Sequence, residues 1–281
     1  MSALEIVRTI PALRAAIAGW RQNGQTIALV PTMGALHDAH MALMQDARKR
    51  ADRVVATIFV NPTQFAADED LDTYPRREAA DIEKLRADGI DLLFAPNADE
   101  IYLAGFATTV TVAGVSEGLC GDHRPVHFTG VATIVTKLLL QALPDTALFG
   151  EKDYQQLQVI RALTRDLDIP VDIVGLPTVR EPDGLAMSSR NLHMSDHERA
   201  LAPQMYRTLN AVAERIRAGE DIAQACAAGR AALTAAGFSP VEYLELRDAQ
   251  SLAAADPAHP CRILAAAWLG KTRLIDNIPL S

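Results

Sequence analysis

Five short stretches of the chain are almost continuously apolar: "TIALVPT" (26–32), "RVVATIFVN" (53–61), "DLLFAP" (91–96), "TALFGE" (146–151) and "VDIVGL" (171–176). Runs of this length, rich in Val, Ile, Leu, Phe and Ala, predict strands covered on both faces. Between them the spacing of apolar residues changes to that of amphipathic helices, in "PALRAAIAGWRQNG", "HMALMQDARKRAD", "REAADIEKLRADG", "GVATIVTKLLLQALP" and "YQQLQVIRALTRDLD". The first of these opens on Pro11 and closes near Gly24, a consistent start and stop. Strand–helix–strand alternation predicts parallel strands joined by right-handed crossovers, a doubly wound α/β sheet. The stretch "TTVTVAG" (108–114) predicts one extra strand.

After "VREPDGLAMSSRN" the pattern changes. Residues 195–236 are Ala-rich and helical, and "VEYLELRD", "RILAAAWLG" and "TRLIDNIPL" then read as three strands. Helices followed by strands, without alternation, predict a smaller α+β domain. The expected division is 1–178 and 179–281.

Composition narrows the function classes. With 49% hydrophobic and 22% charged residues and mean hydropathy near zero, the 281-residue chain can bury a sizeable core. A formal net charge of -8 argues against a nucleic-acid surface, which needs clustered cations. No apolar run approaches the roughly 18–20 residues that span a bilayer, and charges within the N-terminal pattern argue against a signal peptide. Three widely separated cysteines, without a C-x-x-C, suit a reducing cytoplasm.

In an open parallel sheet, ligands bind beyond the carboxyl ends of the strands, where strand order reverses. The polar signals recur at those ends. The first of the five runs leads into Thr32, Met33, Gly34, His37 and His40, the second into Asn61 and Gln64, and a later one into Gly150, Lys152, Asp153 and Gln156. Three segments are therefore expected to converge on one crevice. His37 and His40 share a helix face, and a helix N-terminus favours an anion. An isolated H-x-x-H leaves core, surface, metal and phosphate readings open; the preceding strand and Met-Gly turn weight phosphate. A metal would need further ligands, and His123 and His127 are separated by Pro125 in a Gly- and Pro-rich loop. Alone, Lys152 and Asp153 read more readily as solvated charges and Asn61 as a turn former, while Ser188, Ser189 and Arg190 read as a cap or as a loop closing on a polyphosphate. The acidic segment 67–78 reads as a solvated loop in preference to a magnesium site.

Taken in order, "PTMGALHDAH", "IFVNPTQF", "DLDTYPR", "HRPVHFTGVATIV", "LFGEKDYQQL", "VGLPTVREPDGLAMSSRN", "YLELRD" and "TRLIDN" resemble the pantothenate synthetase (pantoate–β-alanine ligase) family over nearly the whole chain. The resemblance implies a Rossmann-like nucleotidyltransferase domain with a C-terminal α+β lid, in a cytoplasmic homodimer. It implies that Met33, Gly34, Ala35, Leu36, His37, Asp38, Ala39 and His40 bind ATP, as do Gly150, Glu151, Lys152, Asp153, Val179, Met187, Ser188, Ser189 and Arg190. His40 would be proton donor to the departing phosphate, with His37 and Lys152 beside it in the catalytic set. Gln64 and Gln156 would hold pantoate, Gln64 would also help place β-alanine, and Asn61 and Arg124 are further substrate-binding candidates. The implied activity is ATP-dependent condensation of pantoate with β-alanine to pantothenate, a coenzyme A precursor, through pantoyl-adenylate with release of pyrophosphate and AMP. Mg2+ would accompany ATP, with no residue assigned as a metal ligand. The family usually has glycine where this chain has Ala39, which predicts a modest change in ATP fit. Two other readings remain open from the residues: a nucleotidyltransferase with a stable nucleotidyl product, and a non-catalytic nucleotide sensor.

Overall fold

The computed structural model describes residues 4–66, 69, 71–256 and 259–280. Positions 67, 68 and 70 of the acidic segment lie outside the described residues.

Strands β1 (Glu5–Val7), β2 (Ile27–Thr32), β3 (Arg53–Ile58), β4 (Leu92–Phe94), β5 (Thr146–Gly150) and β6 (Asp172–Leu176) form one sheet in the order β1-β4-β3-β2-β5-β6. All neighbours are parallel. Helices α1 (Ile10–Gln22), α2 (Asp38–Arg50), α3 (Glu78–Ala87), α4 (Ala98–Ile101), α5 (Leu119–His123), α6 (His127–Ala142) and α7 (Tyr154–Asp166) lie between strands along the chain. Thr9 caps α1, its side chain accepting from the Ala12 amide, with Pro11 in the first turn where no amide is needed. The unbroken apolar runs are explained by burial on both faces: Ile27 to Val30, Val55, Ala56 and Leu92 to Phe94 are fully buried. Each large apolar side chain among them contributes about 1.5–3 kcal/mol when removed from water.

Strand order reverses at β2. The chain steps outward through β3 and β4, then returns to place β5 on the other side of β2. Pairing of β2 with β3 runs through six residues, from Ile27 with Arg53 to Thr32 with Ile58. The β2–β5 register covers only Ala28 with Thr146 and Leu29 with Ala147. Beyond these pairs the carboxyl ends of β2 and β5 are not registered with each other, which marks the switch point where such sheets bind ligands.

Three features depart from the sequence reading. The run 171–176, expected to be covered on both faces, forms the edge strand β6, with Asp172 exposed and the other four residues only partly buried. Residues 108–113 form no strand; the Val110 amide donates to Thr133 Oγ1 (2.9 Å) rather than to a ladder. Conversely β1, only three residues long, was too short to stand out from the helix that follows it.

Contacts divide the chain into two units. The first comprises Met1–Val112, Arg124–Glu151 and Val159–Pro177; the second comprises Ala113–His123, Lys152–Gln158 and Thr178–Ser281. The last segment of the second unit contains α8 (Asp196–Leu201), α9 (Gln204–Arg217), α10 (Ile222–Ala235) and an antiparallel sheet of β7 (Val241–Asp248), β8 (Cys261–Leu269) and β9 (Thr272–Leu280). Met205, Leu209, Val212 and Ala213 recur at helical spacing on α9 and pack with Leu233, Leu244, Ile263 and Ala265 in its core. Among the described residues no helix is long and apolar enough to cross a membrane.

Candidate active site

In the N-terminal unit, the turn after β2 is held from behind by α3. Thr32 Oγ1 donates to the Thr57 carbonyl (2.6 Å) and accepts from the Gly34 amide (3.1 Å). Gly34 has φ +83°, and a Cβ there would lie 3.1 Å from Ile58 and 3.2 Å from the Asp81 carboxylate. Glycine is therefore required twice, by backbone conformation and by close approach. Ala35 follows with φ +50°, a left-handed geometry that costs an L-residue about 1–2 kcal/mol. Asp81 offsets that cost: its two oxygens accept from the Ala35 and Leu36 amides, each at 2.8 Å. Lys84 of the same helix donates to the Leu36 carbonyl. Burial pushes the Asp81 carboxyl above the usual aspartate range, and the two amides offset only part of that. These amides are engaged by Asp81, so they hold the shape of the turn that leads into α2.

His37 is the N-cap of α2 and His40 its third residue. The His37 amide donates to His40 Nδ1 (3.3 Å), and the rings lie 4.1 Å apart, tilted by 41°. An accepting Nδ1 places the proton of neutral His40 on Nε2, the tautomer suited to donating from that nitrogen. Both histidines are partly exposed.

The turn after β3 is organised by Asn61. Its amide nitrogen donates to Gln64 Oε1 (3.1 Å) and the Gly130 carbonyl (3.2 Å), while its oxygen accepts from Tyr102 (2.7 Å) and Thr63 (3.0 Å). Asn61 is 1% exposed, so its side chain shapes the Pro62–Gln64 turn. A Cβ at Gly130 of α6 would lie 2.3 Å from the Thr63 carbonyl oxygen; only glycine lets this turn rest on the helix. Gln64 Nε2 meets Met33 Sδ at 3.2 Å, bringing the turns after β2 and β3 into contact. Arg124 forks onto Glu69 (2.6 and 2.7 Å). Burial opposes ionisation of Glu69, but the Arg124 bonds and charge outweigh it and hold the carboxyl below the usual range. His127 Nδ1 lies 3.1 Å from the Gln64 carbonyl, which ties this imidazole to the turn. Gly150 ends β5 on the same edge of the sheet as the other two turns.

In the C-terminal unit, Lys152 and Asp153 form a short 3-10 turn before α7, with Lys152 Nζ 4.0 Å from the Asp153 carboxylate. The adjacent glutamines of α7 divide. Gln155 is buried and ties the 115–120 loop, donating to the Val115, Glu117 and Gly118 carbonyls and accepting from the Cys120 amide (2.9 Å). Gln156 is partly exposed. Val179 and Met187 face each other across a hairpin, joined by the Met187 amide to the Val179 carbonyl (3.0 Å). Ser188 caps the turn Ser189–His193, accepting from the Arg190 amide (3.3 Å). The hairpin is anchored by Arg180, whose guanidinium forks onto Asp276 (2.7 and 2.9 Å) and lies 3.8 Å from the Tyr206 ring centroid.

Asp81, Gly130, Gln155, Arg180, Asp276 and Asn277 escaped the residue-by-residue reading. Asp81 carried only the ordinary signal of an acid in a helix first turn, and Arg180 and Asp276 lay inside motifs without a stated role. Among the described residues no group of three or more His, Cys, Asp or Glu could hold a metal ion.

A family model described as pantoate-beta-alanine ligase matches residues 5–279. The pantothenate synthetase of Paramagnetospirillum magneticum is 59% identical over 99% of this chain and 98% of its own, and that of Rhodospirillum rubrum 54% over 99% of each. The crystal structure of pantothenate synthetase from Thermus thermophilus covers 98% of both chains with TM-score 0.92 and 45% identity. The pantoate-beta-alanine ligase of Francisella tularensis, complexed with beta-gamma ATP and beta-alanine, covers 98% of this chain and 97% of its own with TM-score 0.83 and 33% identity. Matched over nearly its whole length in sequence and in fold, this chain belongs to the pantoate-beta-alanine ligase family.

Proposed function

We propose that the chain condenses pantoate with β-alanine at the expense of ATP, releasing pyrophosphate and then AMP. A carboxylate does not form an amide at neutral pH unaided, because oxide is a poor leaving group. A pantoate carboxylate oxygen attacks the α-phosphorus of ATP, the bond to the bridging oxygen breaks, and pyrophosphate departs from the resulting mixed anhydride. The β-alanine amine then attacks the acyl carbon and AMP leaves.

Each residue set has a matching task. Charge grows on the departing phosphates in the first step, and His40, carrying its proton on Nε2, donates to them there; His37 and the α2 N-terminus add hydrogen bonds and partial positive charge. Met33, Gly34, Ala35, Leu36, Asp38 and Ala39 shape the nucleotide contact, with Ala35 and Leu36 acting through backbone form because their amides are held by Asp81. Gly150, Glu151, Lys152, Asp153, Val179, Met187, Ser188, Ser189 and Arg190 complete the ATP contacts, Lys152 and Arg190 supplying cations. Gln64 and Gln156 bind pantoate, Gln64 also orients β-alanine, and Arg124 and Asn61 support Gln64 through the turn they hold. The C-terminal unit acts as a lid that excludes water from the adenylate.

Mg2+ enters as the metal complex of ATP. Magnesium is held mainly by phosphates and water, with one or two carboxylates at most. Bound to the triphosphate it neutralises charge. We place the enzyme in the cytoplasm, in keeping with three free cysteines, and propose that it acts as a homodimer.

The observation that carries this reading is the His37–His40 pair on the N-terminus of a helix that starts at the switch point of the sheet. Incubation with MgATP, pantoate and β-alanine, leaving out each in turn, tests it. The expected result is AMP and pyrophosphate as products, and pantoate-dependent exchange of pyrophosphate into ATP without β-alanine. ADP as product, or a stable nucleotidyl product that ignores β-alanine, refutes it.

A further inference from the structure

The motif "TRLIDN" lies on β9, away from the residues with assigned roles, yet two of its side chains reach segments that have them. Asn277 Nδ2 donates to the Lys152 carbonyl (2.9 Å). Asp276, its neighbour, takes both terminal nitrogens of Arg180, which also donates to the Asn277 carbonyl (3.3 Å) and to the Gly184 carbonyl (3.0 Å) inside the hairpin. Both residues are 4% exposed, so these bonds are shielded from competing water. Successive side chains alternate along a strand, which lets one dipeptide serve two separate segments. A second tether holds the lysine's segment: Tyr154 donates to the Ala249 carbonyl (2.8 Å), and the Arg262 guanidinium of β8 lies 3.8 Å from its ring centroid.

We infer that Asn277 and Asp276 make Lys152 and the Val179–Arg190 hairpin a single mechanical body mounted on β9, with Asn277 a positioning residue for Lys152. Although Lys152 follows β5 by two positions in the chain, its backbone is fixed by the sheet of the C-terminal unit. Displacement of β9 therefore carries Lys152 and Ser188–Arg190 together, and the two sources of positive charge reach a nucleotide in step. This rests on Lys152 acting in adenylation, as proposed above.

A double-mutant cycle tests the coupling, read as pantoate-dependent exchange of pyrophosphate into ATP. Asn277→Ala removes one hydrogen bond and is expected to lower the exchange rate roughly 2- to 10-fold. Asn277→Leu, close in volume and without a donor, repeats the measurement where Ala loosens packing. In a Lys152→Ala background either change is expected to cost less than about twofold, because the residue being positioned is gone. Wild-type exchange in both Asn277 variants, alongside a slow Lys152→Ala, overturns the inference. Losses that multiply in the double mutants overturn it as well, since they mean Asn277 acts through something other than the lysine. Wild-type exchange in Lys152→Ala removes the lysine from the reaction and the inference with it, an outcome recognisable because the single Lys152 variant alone produces it.

Discussion

The turn at Gly34–Leu36 and the hairpin at Val179–Met187 both rest on a buried aspartate, and they neutralise it in different ways. Asp81 is met by two backbone amides at 2.8 Å; Asp276 is met by the forked guanidinium of Arg180. Burial raises both carboxyls above the usual aspartate range, and in neither case do the partners fully offset it. Amides are short and rigid, so the first arrangement pins individual backbone atoms and can hold Ala35 in a left-handed conformation. A guanidinium on a long stem bridges the two sides of a hairpin and stacks on Tyr206, so the second holds a loop as a whole. Under the proposed function, the first suits a turn that aims a helix terminus at a phosphate, and the second suits a loop held as one piece.

The largest expected effect lies in the first region. His40→Ala should slow pyrophosphate release roughly 10²- to 10⁴-fold, the range for a positioned acid–base group, with the fold unchanged. Wild-type release in that variant would put the chemistry outside this region.

Next in size is Asp276→Ala, which leaves the Arg180 charge without its partner. Urea unfolding should show a loss of about 3–5 kcal/mol. A loss below about 1 kcal/mol would mean that Tyr206 and the carbonyls hold the guanidinium without help from the carboxylate.

Asp81→Asn comes third. Its side-chain nitrogen would face one of the two amides, leaving that donor unsatisfied at about 1–3 kcal/mol. The pH dependence has a definite sign. The folded pKa of Asp81 lies above its unfolded value, so its titration adds stability fully present below the ordinary aspartate range and lost as pH rises through the raised value. The stability gap between wild type and Asp81→Asn should therefore widen as pH is lowered from neutral. A gap that narrows on acidification would show a depressed pKa and an amide cradle stronger than burial.

The smallest effect is expected at Ala39. Ala39→Gly removes a methyl group from the first turn of α2 and should cost about 0.5–1 kcal/mol of helix stability, while changing the ATP KM modestly. An unchanged KM would show that the methyl group does not touch the nucleotide.

Much of the scaffold was legible in advance. Four of the five strands announce themselves because they are mostly buried and read as runs of Val, Ile, Leu, Phe and Ala; β6 has the same apolar pattern but sits at the sheet edge, only partly covered. "TTVTVAG" misled for the matching reason: alternation describes a strand's side chains but says nothing about whether a neighbour supplies a ladder, and Val110 bonds a threonine hydroxyl instead. Among the candidate residues, His37 and His40 carried recognisable spacing, whereas Gln64 stood out only as a polar residue following a strand. Asn61 was legible as a turn former, and its burial assigns it to shaping that turn. Gln155 and Gln156 were indistinguishable on paper, since only packing decides which neighbour on a helix turns inward.

What the chain determined by itself is local: where strands and helices begin, which turns need glycine or proline, and which chemical groups follow each strand. These depend on residues a few positions apart. Tertiary structure alone decided what holds those groups in place, because Asp81 lies 45 and 46 positions from the amides it grips, and Asp276 and Asn277 lie 96 and 125 from Arg180 and Lys152. A carboxylate or amide has no fixed partner until strand order and helix packing bring one within about 3 Å, the reach of a hydrogen bond.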